Sequence, residues 1–185
     1  MPIEFWALRK LPAIYAERAR WYVETAHAFT LGFLPALLEM GIMPSIIQIR
    51  RNHRDVAVSY WRRSSIPGRT ARGIEYLLDP SFAGWDSLTD YQLCYWHCLE
   101  VERLGAIARR DIENWVAVEF DDLVGGEGFH TIVDALGLPE PNWTEYYKRR
   151  LWHVNRSPDN YYALWPDGNL DEQEAAVREA LNVNN

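Results

Sequence analysis

An α/β fold built on a parallel sheet is what this 185-residue chain predicts, and three observations carry that expectation. Short apolar or β-branched runs occur at 21–25, 45–50 and 115–120. Between them lie stretches that read as helices, at 31–40, about 54–63 and 88–110, and the apolar residues of 4–19 recur every three or four positions, the spacing of one helix face. Strands alternating with helices place helices on both faces of a parallel sheet. The composition, 48% apolar and 24% charged, is globular and excludes a wholly disordered chain. The length suits a single domain over residues 1–185.

Residues 4–19 put Leu8, Leu11 and Tyr15 on one face and predict an amphipathic helix, which Pro12 breaks or restarts. Trp21-Tyr22-Val23-Glu24-Thr25 reads as a short strand. Leu31 to Met40 reads as a helix stopped by Gly41. Ser45-Ile46-Ile47-Gln48-Ile49-Arg50 is the strongest strand pattern, a short apolar run predicted to be buried. A helix follows at about 54–63, with Asn52 as N-cap and Asp55 in the first turn, where the helix dipole favours an acid. Ser64 to Gly73, marked by Pro67-Gly68, is a loop. Leu88 to Arg110 is a long helix, and Trp115 to Phe120 a third strand. Gly125-Gly126-Glu127-Gly128 reads as a surface loop. Phe129 to Leu136 is a helix stopped by Gly137 and Pro139. The stretch 142–170 has no clear pattern, and Asp171 to Leu181 is a final helix.

The charge balance narrows the function classes. A net charge of −7 argues against a general nucleic-acid binder, which needs a basic surplus. No apolar run approaches the roughly 18 residues of a membrane span, and the start of the chain has no signal-peptide pattern. Two cysteines cannot form a disulfide framework, so a reducing, cytoplasmic setting is the expectation. Only Lys10 and Lys148 among the 19 basic residues are lysines, so any chemistry that needs a lysine has two candidates.

In a parallel α/β sheet, ligands bind beyond the carboxyl ends of the strands. Arg50-Arg51-Asn52-His53-Arg54-Asp55 occupies that place after the 45–50 strand. Arg51 can clamp an anion with its forked donors, the helix start adds positive potential, and Ser59, eight residues on, can add a hydroxyl. The plainer alternative is a solvated arginine surface.

Ile46 to Tyr60 resembles the segment of the sulfotransferases that binds the 3′-phosphate of their donor, 3′-phosphoadenosine-5′-phosphosulfate (PAPS). Arg51 and Ser59 match the family's Arg and Ser in type and spacing; His53 stands where a proline is usual. Tyr22 to Phe29 resembles the strand with the catalytic base, Ala117 to Leu123 the "YEDL" segment, and Asp134 to Pro139 the "FLGL" segment. Ile66 to Thr70 and Tyr91 to Trp96 resemble a bacterial or fungal branch. The resemblance covers roughly residues 20–140. It implies a P-loop NTPase-like three-layer fold, transfer of a sulfuryl group to a hydroxyl or amine of a small-molecule, sugar or lipid acceptor, and no metal. The resemblance further implies that Glu24 or His27 is the base and that Arg51, Asn52 and Ser59 hold the donor. Lys148-Arg149-Arg150 and Asn155-Arg156 match the family's late basic loop only in charge.

One part of the family pattern is missing. Its Gly-rich loop, with a lysine for the 5′-phosphosulfate, has no counterpart around Lys10 or Lys148. That departure disfavours a P-loop kinase, which needs the lysine more directly. It implies an N-terminally incomplete sulfotransferase domain, or a non-catalytic relative that binds a nucleotide or a partner. Cys94, His97 and Cys98 suggest a metal site by type, but a closed zinc shell wants four ligands and no fourth is near. The nine Trp and ten Tyr divide between core and acceptor site in a way the sequence does not resolve. A sheet lacking its first strand exposes an apolar edge. Size-exclusion chromatography is therefore expected to show self-association, or pairing with a partner chain that covers the edge; a stable monomer with an intact sheet contradicts this.

Overall fold

The computed structural model describes residues 2–18, 22–23, 33–71, 73, 85–142 and 164–183. The chain forms two compact units, Met1–Ile46 with Leu99–Trp115, and Ile47–Cys98 with Val116–Asn185.

In the first unit, α1 (Pro2–Phe5) passes through a wider π turn, Trp6–Lys10, into α2 (Leu11–Ala16). Pro12 follows that turn closely; a proline lacks the N–H and clashes with the preceding turn of a regular helix, so the ladder is irregular there. The irregularity changes which face is buried. Leu8 and Tyr15 are 72% and 71% exposed, contrary to the sequence expectation. Trp6 is buried instead, and with Leu11 and Ile14 it packs on Ala36 and Leu37 of α3 (Phe33–Glu39). An extra residue in one turn rotates every later side chain by about 100° from the pattern read at 3.6 residues per turn. Beyond α2, Tyr22 and Val23 are exposed and lie in no strand; Glu24, His27 and the rest of that run fall outside the described residues.

The second unit carries the sheet. β1 (Ile46–Arg50) and β2 (Trp115–Glu119) form a parallel pair, and the Ile46 N–H donates to the Asn114 carbonyl at its start, 2.8 Å. The chain is thus a mixed α/β structure with a small parallel sheet. Alternation along β2 buries Val116 and Val118 against Ile132 of α7 (Glu127–Leu136). β1 departs from the expected buried strand: Ile47 is 38% and Ile49 52% exposed. A sheet of two strands among the described residues has no inner strand, so each of its members is an edge.

β2 ends one residue earlier than its apolar run. Phe120 opens a short helix, α6 (Phe120–Gly125), which joins α7 through a tight corner. The Gly125–Gly128 run is that corner, not a loop lying over the surface. Gly126 adopts φ +107, and a Cβ on Gly128 would lie 2.8 Å from the Leu123 nitrogen, so the two helices approach as only glycine permits. α7 closes at Gly137, also at positive φ, with the Leu138 N–H donating to the Val133 carbonyl at 2.9 Å.

Two further helices, α4 (His53–Arg62) and α8 (Leu170–Val183), and residues 90–98 of α5 (Asp90–Ala108) complete this unit. The first turns of α5 are central, since Tyr91 and every residue from Leu93 to Cys98 are buried, so here the helix has almost no polar face. α8 buries Leu170 and Val177 but docks chiefly through polar groups. Glu174, 4% exposed, accepts from Arg54 Nε at 2.6 Å and Nη2 at 3.0 Å, and from the Tyr91 hydroxyl at 2.6 Å. Asp171 takes a further bond from Arg54. Arg178 lies 3.8 Å from Glu174 and donates to the Tyr95 hydroxyl. Thr89 Oγ1 lies 2.7 Å from Gln173 Oε1, and Gln92 Nε2 donates to the Gln173 carbonyl at 3.2 Å. No described helix is long and apolar enough to cross a membrane.

Burial works against the Glu174 carboxylate, but its bonds from Arg54 and Tyr91 prevail and hold its pKa below the usual glutamate value. A carboxylate depressed in the folded state stabilises the fold above its unfolded pKa and loses that contribution as pH falls through the folded pKa. Thermal melts followed from pH 7 to pH 3 should therefore show the wild type losing stability below about pH 4.5, with Glu174→Gln less stable at pH 7 and flatter over this range. Parallel pH profiles for the two proteins contradict this role.

Candidate functional site

The β1–α4 junction is built by one capping residue. Asn52 leaves the strand direction with ψ 124 and turns its side-chain oxygen to the N–H groups of Arg54, 2.9 Å, and Asp55, 3.4 Å. Two of the helix's unpaired donors are thereby satisfied. The remaining positive potential of the helix start faces outward beside Arg50 and Arg51, both exposed.

Arg51 is held by a ring. Its guanidinium carbon lies 4.7 Å from the centroid of Phe120, and it has no carboxylate partner among the described residues. Because β1 and β2 run parallel, Arg51 and Phe120 lie just beyond the carboxyl ends of adjacent strands, where ligands of α/β sheets collect. A guanidinium over a ring face keeps its in-plane N–H groups for an anion such as a carboxylate or phosphate. Ser59 is half-buried in α4. At about 100° per residue, Asn52, Asp55 and Ser59 share one side of the helix, while Ala57 is buried on the other. Arg51, Asn52 and Ser59 thus belong to one strand–turn–helix.

Arg54, two residues beyond the cap, behaves differently. It points about 140° away from Ser59, toward α8, and its bonds to Glu174 and Asp171 raise its pKa further. His53 is half-buried, edge-on to the Tyr95 ring at 6.3 Å. Phe120, Glu174 and Tyr91 were not singled out from the sequence. Glu174 lies 120 residues from Arg54, and the usable hint was Arg54 itself, a cation in a first helical turn, which the dipole disfavours unless a carboxylate answers it.

The remaining candidates divide simply. Glu24, His27, Lys148 to Arg150, Asn155 and Arg156 lie outside the described residues. Cys94 and Cys98 are both buried; the Cys98 thiol donates to the Cys94 carbonyl, 3.2 Å. Burial raises both thiols, Cys98 to about 12, which disfavours the thiolate that metal binding needs. No group of three or more His, Cys, Asp or Glu residues able to hold a metal occurs among the described residues. No family model, curated protein or solved structure matches the chain.

The cap is testable apart from any ligand. Asn52→Ala should lower unfolding free energy by about 1 kcal/mol, and Asn52→Asp should keep most of it, as read by urea denaturation. An unchanged midpoint for Asn52→Ala contradicts the cap as described.

Proposed function

We propose that this chain carries the 3′-phosphate side of a PAPS site and acts as a sulfotransferase-type domain of the P-loop NTPase-like, three-layer α/β class. The observation that carries the reading is the β1–α4 junction. An arginine at the carboxyl end of a parallel strand, steadied by Phe120, stands beside a capped helix start, with Ser59 on the capped side two turns on. Forked donors, helix-terminal potential and a hydroxyl together suit a phosphate monoester.

In the reaction, an acceptor oxygen or nitrogen attacks the sulfur of PAPS in line. The bond from sulfur to the 5′-phosphate oxygen breaks, the SO3 group moves to the acceptor, and 3′,5′-ADP leaves with the bonding electron pair. Glu24 or His27 takes the acceptor's proton. Arg51 and Ser59 take no part in bond making; they fix the nucleotide so that sulfur and acceptor are aligned.

A second reading, nucleotide binding without turnover, is favoured by one observation. These 185 residues hold no Gly-rich lysine loop, and Lys10 closes a helical π turn. The leaving phosphate therefore lacks its usual stabilising group within this sequence.

Calorimetric titration with 3′,5′-ADP tests the site. The wild type should bind with micromolar Kd, and Arg51→Ala and Ser59→Ala should each weaken binding by about 10-fold or more, as loss of a charge-assisted hydrogen bond does. No binding by the wild type overturns the reading. Release of 3′,5′-ADP from PAPS in the presence of an acceptor, lost in Glu24→Gln or His27→Ala, separates transfer from binding alone.

A further inference from the structure

We infer that Glu174 is a positioning residue for this site, acting through Arg54 on the first turn of α4; the inference rests on the nucleotide reading given above. Arg54 follows the cap by two residues, and its own N–H is one of the two that Asn52 accepts. Its side chain leaves the opposite side of the helix and meets Glu174 through two parallel N–H···O bonds. A forked pair fixes both position and plane, unlike a single contact. Glu174 is in turn held by the buried Tyr91 hydroxyl, with Arg178 nearby. The charged groups facing the carboxylate are Arg54 from α4 and Arg178 and Asp171 from α8; Tyr91 and Tyr95 face it from α5.

Two consequences follow for an anion at the junction. First, the turn that carries Arg51, Asn52 and the helix start is gripped from behind, so it keeps its direction whether or not an anion is present. Donors fixed before binding cost less ordering when the ligand arrives. Second, the Arg54 charge is answered by two carboxylates, while Arg50 and Arg51 have no carboxylate partner among the described residues and Arg51 lies over the Phe120 ring.

The test is a double-mutant cycle read in nucleotide affinity. 3′,5′-ADP is titrated into the wild type, Arg54→Met, Glu174→Gln and the double variant, at a temperature well below each melting transition. Ile132→Ala, which empties part of the β2–α7 core, serves as a control that lowers stability away from the junction. The expected result is a Kd raised about 5-fold or more in each single variant, a double variant no weaker than the weaker single one, and an unchanged Kd in Ile132→Ala. This coupling in Kd is something that a purely structural pair does not produce in molecules that remain folded. Wild-type binding with Kd unaltered in all three pair variants overturns the positioning role and leaves the nucleotide site standing. Singles whose effects add fully in the double variant also overturn it. No wild-type binding removes the site and this role together.

Discussion

The second unit depends on one buried carboxylate. Glu174 draws three helices to a point: α4 through Arg54, α5 through Tyr91, and α8 on which it stands. Burying a charge is costly unless its bonds are complete. Here they are, since a forked guanidinium and a phenol both donate to it. Burial, and then the bond to Glu174, raise the Tyr91 phenol, so it remains a donor. The arrangement also explains why a cation is tolerated in the first turn of α4, and it joins the far end of the sequence to the turn that opens the candidate site.

Local signals in the sequence were legible wherever one residue decides the geometry. Asn52 ahead of an acid in the first turn marked the start of α4, and Gly137 marked the end of α7, because caps are satisfied by neighbours in sequence. The run from Trp115 to Phe120 likewise marked β2, though not which of its faces is buried. Patterns that assume a regular period were less reliable. The turn at Trp6–Lys10 shifts the phase of the first helix and turns Leu8 and Tyr15 to solvent, which no reading at 3.6 residues per turn contains. Ile47 and Ile49 read as buried because composition reports that a residue is apolar, not whether a neighbouring strand covers it.

The candidate site was half legible for the same reason. Arg51, Asn52 and Ser59 lie within nine consecutive residues, so spacing alone groups them. Phe120 reaches Arg51 only because β1 and β2 are adjacent and parallel, and Glu174 reaches Arg54 across 120 positions. Both are tertiary facts. They also divide the arginines by task in a way the run of charges does not: Arg51 is steadied by a ring, while Arg54 is neutralised and holds the helix.

On the function proposed above, the β1–α4 junction recognises a 3′-phosphate. Chemical-shift mapping of 15N-labelled protein with 3′,5′-ADP and, separately, with 5′-AMP tests it most directly, because the two nucleotides differ only in that group. 3′,5′-ADP is expected to shift the Arg51 Nε–H and the amides of Asn52 to Asp55, and 5′-AMP to leave them nearly unmoved. Equal shifts with both nucleotides, or shifts that spare this turn, would contradict it.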